Sequence, residues 1–235
     1  GGDGTLNEVI NGILQAEGHP VLGVIPAGSC NDFIKTIGIP RDFDTACRVA
    51  ADGATIGCDV IQAGDRYFVN AAGIGFDVHV VEQTQKQRTR NGLSYLWTVL
   101  KNIFQYKAMH LNVINGKDYF EPKALMLTIA NGQYYGGQFH IAPDADVSDG
   151  SMDAILMRDV PGFQRLGLLS KVLQGKHLGD KAVQSFHAKD LIIKSEQDMS
   201  LQIEGEIYKW PHREINFKIL PGRLRVLAPR QGRDI

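Results

Sequence analysis

No stretch of the sequence reaches 18 consecutive apolar residues, and the 124–130 run is only strand length. A membrane-crossing helix needs about 20 such residues, so the sequence reads as a soluble chain whose membrane contact is peripheral. Cysteine is scarce: Cys30, Cys47 and Cys58 are odd in number and follow no ligand spacing. That argues against a disulfide framework or a zinc cluster and for a reducing, cytoplasmic setting. The seven histidines are scattered, and none pairs at metal-ligand spacing. Excess charge is missing too, since 25 Lys and Arg against 26 Asp and Glu leave a formal net charge of -1. That balance argues against nucleic acid as an obligate partner, because a phosphate backbone rewards a basic face, while a global sum leaves local basic patches open. The sequence shows no internal repeat and no low-complexity tract. It opens on Gly1-Gly2-Asp3-Gly4 without a Met or a preceding strand, and so reads as a chain cut inside a domain.

What is present begins with a helical pattern. Leu6, Val9, Ile10, Ile13 and Leu14 follow the spacing of one buried helix face, with Gly18 as a stop. Val21–Ile25 is a short apolar run suited to a covered parallel strand, and Pro26 to Ser29 break it. Asn31 or Asp32 can cap a short helix, and another helix is expected over Phe43–Ala51. This βα alternation is that of an open α/β sheet. From about residue 55 the texture changes. Strands are expected over Ile56–Gln62 and Arg66–Ala71, then a long helical stretch over Phe76–Tyr106. Seven β-rich segments follow between His110 and Leu227, interrupted by a helix near Gly162–Gln174. Runs of short strands with turn signals suggest a β-sandwich or barrel-like second unit, the boundary lying near 53–60.

The opening loop carries the strongest chemical signal. Gly1, Gly2 and Gly4 let the backbone turn tightly before a helix, whose N–H groups and dipole favour a phosphate. Thr5 can add a hydroxyl donor. Asp3 would repel that phosphate unless a cation lies between them, a conflict that a magnesium nucleotide resolves. The bland alternative is an ordinary glycine-rich turn before a helix.

Gly-Gly-Asp-Gly-Thr-Leu-Asn-Glu-Val (1–9), followed by Ile-Pro-Ala-Gly-Ser-Cys-Asn-Asp-Phe (25–33), closely resembles the diacylglycerol-kinase catalytic family. The resemblance continues at Cys58-Asp59, at Asn70 to Phe76, at Pro143 to Asp153 and at Glu204-Gly205-Glu206, covering nearly the whole chain in order. It implies an α/β plus β fold: a phosphofructokinase-like nucleotide-binding domain, incomplete at its N-terminus, followed by a β-sandwich domain. The corresponding divisions are 1–57 for the partial ATP-binding domain, 58–229 for the sandwich and 230–235 for a tail. It also implies an ATP-dependent lipid kinase acting at a membrane surface, with ATP and Mg²⁺ as cofactors. Pairing through the sandwich into a homodimer is an arrangement that family uses.

Residue by residue, the resemblance assigns Gly2, Asp3, Gly4, Thr5, Leu6, Asn7 and Glu8 to the phosphate-binding loop and helix start. Ser29 joins them in place of the family's more usual threonine. Glu206 would be the general base on the acceptor hydroxyl, with Glu204 one methylene longer than the usual aspartate. Asp3 and Asp59 would complete an acidic network around the catalytic Mg²⁺. A second, structural Mg²⁺ would be held by Asp149 and by the backbone carbonyls of Asp146 and Ser151. This suits phosphoryl transfer, which needs positioning and charge neutralisation above all, and a carboxylate base for a poorly nucleophilic hydroxyl.

Plain readings stand beside these. Asp59 could end a hairpin. Glu204 and Glu206 alternate across Gly205, so on a strand they share a face, although a solvated turn is the simpler alternative. Asp146, Asp149 and Asp153 sit in a turn-rich stretch. Lys86, Arg88 and Arg90 form a small basic cluster that suits a solvated helix face or anionic headgroups. Tyr95, Trp97 and Phe104 suit core or lipid-cleft lining. Two rival functions share the loop: a small-molecule kinase resembling the NAD kinases, and a non-catalytic nucleotide-binding module.

Overall fold

The computed structural model describes residues 1–16, 19–86 and 92–230, of which 92–94 by backbone alone. The first helix, α1 (Asp3–Gln15), buries Leu6 and Ile10 on the inner side of its apolar stripe. Strand β1 (Val21–Leu22) is shorter than the expected run, and the five-residue α2 (Asp32–Thr36) follows. Helix α3 (Phe43–Asp52) starts where the Asp42 carboxylate accepts from the Thr45 N–H at 2.8 Å. Next come β2 (Ala54–Ala63), β3 (Arg66–Phe68) and β4 (Ala71–Gly75). The expected 76–106 helical stretch contains two helices, α4 (Phe76–Gln85) and α5 (Gly92–Asn102). Gly18, and Arg88 and Arg90 of the basic cluster, lie outside the described residues, while Lys86 is exposed.

The remaining chain is strand-rich. Strands β5 (Met109–His110), β6 (Asn112–Asn115), β7 (Asp118–Phe120) and β8 (Lys123–Ala130) are followed by the short pair β9 (Tyr134–Tyr135) and β10 (Phe139–His140). Then β11 (Met152–Arg158) leads into α6 (Gly162–Leu173) and on to β12 (Val183–Ala188), β13 (Asp190–Lys194) and β14 (Met199–Ile203). The last strands are β15 (Glu206–Trp210) and the long β16 (Glu214–Ala228).

One seven-stranded sheet runs β3-β2-β16-β13-β6-β7 with β1 beside β16, and a second runs β12-β11-β8-β4-β14-β15 with β5 beside β8. Strand β1 joins β16 in parallel, and the other pairings among the described residues are antiparallel. The two sheets face each other. Ile61, Phe68 and Phe217 of the first meet Ile74, Leu127 and Ile129 of the second in a dry core, a β-sandwich arrangement. Helices α4, α5 and α6 cover the outer face of the second sheet, with Val80, Val99 and Leu168 against Leu125 and Ile155. Helices α1 to α3 form a third core in which Leu6, Ile10 and Phe33 join Val60, Leu224 and Val226.

Two departures from the expected strands have a physical cause. The Arg66–Ala71 run is broken because the chain changes sheets there. The N–H groups of Val69 and Asn70 leave the ladder and donate to one oxygen of Glu204, at 3.1 and 2.8 Å. The expected division at 57/58 falls inside β2, whose partner β16 shifts register between Leu220 and Leu224. Asp59 lies opposite that shift, buried. Its two carboxylate oxygens accept from Gly222 N–H and Gly150 N–H, each at 2.6 Å.

Replacing Asp59 with Ala removes the buried acceptor of the Gly150 and Gly222 amides and should destabilise the protein by roughly 2 kcal/mol. Urea denaturation measures this; a change within experimental scatter would show that the register shift holds without the carboxylate.

Candidate active site

The opening loop and the 26–31 loop touch backbone to backbone. A Cβ on Gly28 would come within 2.4 Å of the Gly2 Cα, so only glycine lets the loops approach this closely. The Ala27 N–H donates to the Gly1 carbonyl at 3.0 Å. Asn31, left-handed at φ 47°, folds its side chain back on the second loop. Its amide oxygen accepts from Gly28 N–H at 3.1 Å and its amide nitrogen donates to the Gly28 carbonyl at 2.8 Å. This geometry brings the Asp32 N–H onto the Asp3 carboxylate at 2.7 Å.

Across from these loops stands the β14–β15 hairpin. Glu204 and Gly205 are its two central residues, both with positive φ (51° and 85°), as a tight hairpin turn requires. The two glutamates are therefore presented by a turn and do not alternate along one strand. Gln202 secures the tip, its side-chain oxygen accepting from Gly205 N–H at 2.7 Å. Together the loops and the hairpin enclose a cavity of about 290 Å³ whose walls include Asp3, Gly4, Ser29, Asp32, Glu204 and Glu206.

The other sequence candidates divide sharply. Gly2 caps α1, and Thr5 and Glu8 are exposed. Leu6 is committed to the core. Asn7 donates its side-chain amide to the Tyr67 carbonyl at 3.0 Å, tying α1 to the end of the sandwich. Asp59 is not in the cavity wall; it lies under the turn that carries Asp149. In that turn Asp146 accepts from Ser148 N–H at 2.9 Å, and Asp149 accepts from Ser151 N–H at 2.8 Å. Among the described residues, no three of His, Cys, Asp and Glu are grouped to hold a metal by side chains alone.

Sequence reasoning missed Asp32 as anything more than a helix cap. Its carboxylate forms an ion pair with Lys35 at 2.5 Å and accepts from the Gly137 N–H at 3.1 Å, while Lys35 donates to the Gly137 carbonyl at 2.7 Å. This locks the β9–β10 hairpin to α2. A buried acid followed three residues later by a lysine was the available signal. Tyr95 and Tyr135, which also wall the cavity, had no signal in local sequence that linked them.

Electrostatics set the character of the site. Burial raises the Asp3 carboxyl above its ordinary range, and the charge of Asp32 adds to the shift. Burial likewise pushes Glu204 up to about 8, helped by Asp3 and Asp32 and opposed by the two amides it accepts. A divalent cation would relieve this mutual repulsion, so the carboxylates suit one. Beneath the cavity Asp77 is fully buried, and burial raises its carboxyl to about 7. Tyr95 and Tyr135 also wall a second, apolar space of about 40 Å³, together with Val99, Ile103, Leu168 and Leu169.

Two family models match successive parts of the chain. The diacylglycerol kinase catalytic domain model matches residues 1–63, and the YegS C-terminal NAD kinase beta sandwich-like domain model matches residues 70–228. A diacylglycerol kinase of Staphylococcus aureus (strain JH9) is 32% identical over 233 residues, covering 97% of this chain and 73% of the relative. A diacylglycerol kinase of Bacillus subtilis (strain 168) is 28% identical over 209 residues, covering 88% and 69%. Among solved structures, a diacylglycerol kinase from Bacillus anthracis str. Sterne matches with a TM-score of 0.74 at 22% identity, over 97% of this chain and 74% of that one. An NAD kinase from Archaeoglobus fulgidus in complex with ATP matches with a TM-score of 0.51 at 10% identity, over 98% and 76%. Both structural matches are likenesses of fold alone.

The raised Asp77 carboxyl has a consequence for stability. The folded protein keeps a proton there that the unfolded chain gives up above about pH 4, so this contribution is complete at low pH and is lost as pH rises through about 7. Asp77→Asn should reduce the stability difference between about pH 5 and about pH 8 by roughly 2–3 kcal/mol. Urea unfolding at both values decides it, and an unaltered difference would mean that Asp77 is ionised in the folded state throughout.

Proposed function

We propose that this chain, which belongs to the diacylglycerol kinase catalytic family, acts as an ATP-dependent lipid kinase on a primary hydroxyl such as that of diacylglycerol. Relatives named diacylglycerol kinase support lipid kinase activity. The observation that carries the finer reading is the cavity shared by Asp3, Ser29 and Glu206, with an apolar space directly behind its tyrosine wall. A polar reaction site backed by an apolar pocket fits an acceptor with a hydroxyl and a hydrocarbon tail better than it fits a dinucleotide. It also argues against a non-catalytic module, which needs no base facing the nucleotide loop.

In this reading residues 1–57 form the phosphofructokinase-like donor side and 58–229 the acceptor side. The N–H groups around Gly2, Gly4 and Thr5, with the Ser29 hydroxyl, bind phosphate oxygens. Asp3 faces the phosphate side of the cavity, where a magnesium ion arriving with the nucleotide would neutralise phosphate charge. Glu206 accepts the proton of the acceptor hydroxyl as its oxygen forms the bond to the γ-phosphorus, and the bond to the ADP oxygen breaks in line. Asp149, with the carbonyls of Asp146 and Ser151, would hold a second magnesium ion, and Asp59 acts by position, fixing that turn against β16.

Glu206→Gln should lower transfer of labelled phosphate to diacylglycerol by at least about a hundredfold while ATP affinity is kept. The assay compares this chain with a version extended upstream and offers phosphatidylglycerol, ceramide and NAD as alternative acceptors. Label in NAD alone would overturn the lipid reading, and equal losses in affinity and turnover would remove Glu206 from the base role. Asp149→Ala should abolish any rise in Tm on adding Mg²⁺; a rise that survives the substitution places the second ion elsewhere.

A further inference from the structure

We propose that the outer faces of α5 and α6 form a docking surface for an anionic lipid bilayer; its purpose rests on the lipid-kinase reading. Each helix is two-sided. Val99 and Ile103 of the first, and Leu168 and Leu169 of the second, face the sheet. On the opposite side Trp97, Leu100 and Phe104 recur at i, i+3 and i+7, Trp97 being 67% and Phe104 54% exposed. On α6, Phe163 is 73% exposed and Leu166 lies one turn further along. The two stripes are continuous, because the Phe104 ring lies over Gly162, where a Cβ would come within 2.9 Å of it.

This face is braced from beneath. The buried Arg165 guanidinium donates to the carbonyls of Ile103 and Tyr106 at 2.7 and 2.9 Å, and to Asp159 at 2.7 Å. Large apolar side chains gathered on a fixed surface mark an interaction site. Charge selects the occupant. Between Glu82 and Asp118 the sequence has no acidic residue, and Lys101 near the end of α5 and Lys107 just beyond it are exposed. Between Asp159 and Asp180 it again has none; Lys176 is exposed, while Lys171 pairs with Asp180 and the buried Arg165 with Asp159. A second copy would set basic surface against basic surface, whereas anionic headgroups neutralise it. Trp and Phe beside lysines form the pattern of an interfacial helix face. No described helix is long and apolar enough to cross a membrane. The same two helices wall the apolar space behind Tyr95 and Tyr135, so a lipid leaving the bilayer would reach it without crossing water.

The test titrates the protein with phosphatidylcholine vesicles, with and without phosphatidylglycerol. In a Trp210→Phe background Trp97 is the remaining tryptophan, and its emission should shift to the blue only with the anionic vesicles. In co-sedimentation, the double variant Trp97→Ser/Phe163→Ser should partition at least about tenfold more weakly. Its turnover of a short-chain acceptor dissolved in water should be unchanged. Lys101→Glu/Lys107→Glu, with the aromatic face intact, should lose the preference for phosphatidylglycerol. Vesicle binding that survives the double variant overturns the proposal, as does self-association that this variant abolishes without any vesicle binding. The two readings separate cleanly. Vesicle binding lost as described, with no lipid phosphorylated by the parent protein, supports the docking surface and removes the kinase reading. A phosphorylated soluble acceptor with no vesicle bound does the reverse.

Discussion

The buried Asp59 carboxylate joins three parts of the chain. Strand β2 carries it, Gly222 at the register shift of β16 donates to one oxygen, and Gly150 of the 146–151 turn donates to the other. Its own N–H donates to the Val147 carbonyl at 2.6 Å, and its carbonyl accepts from the Asn131 side chain at 3.1 Å. A charge removed from water must be met by donors of this quality. The shift lets one strand serve two structures: β16 pairs with β13 before it, and beside β1 it closes the core of α1 to α3 after it.

A second buried carboxylate performs a related task nearer the reaction site. Where the chain crosses from one sheet to the other at Val69 and Asn70, Glu204 takes up the two amides that neither ladder can use. The hairpin that presents Glu206 is thereby fastened to the crossover. The cost is a carboxylate held among Asp3 and Asp32 and raised to about 8 by burial and by their charge. The conditions that make Glu204 a good cap for amides thus also make it a poor isolated anion.

Much of this was legible in the sequence where the signal is local. Helical spacing found α1, α3 and α6, and apolar runs found β8, β11 and β13. The glycine-rich opening was legible as a tight turn before a helix, and α1 starts at Asp3. The failures are those of distance. Arg66–Ala71 reads as one strand by composition, yet Glu204, far along the chain, breaks it. Glu204 and Glu206 alternate like strand residues, yet two positive φ angles turn them into a hairpin tip. Asp59 resembled a catalytic acid by its motif, whereas its oxygens are taken up by amides contributed from residues 150 and 222.

The two sides of the cleft are stitched together at several heights, which restricts how it can open. Asn7 and Asn11 of α1 both donate to the Tyr67 carbonyl, Asp32 and Lys35 grip Gly137, and the Thr36 hydroxyl accepts from the Gln133 N–H at 2.9 Å. A hinge between the α1–α3 part and the sandwich would break most of these together with the pairing of β16 to β2. Helices α5 and α6 are fastened differently. They lie on the sheet by side-chain packing, and Arg165 ties them chiefly to each other. Helix α5 is also joined to α4, whose His79 ring nitrogen lies 3.1 Å from the Asn102 side-chain oxygen, so the pair is held by packing below and by hydrogen bonds along its flank.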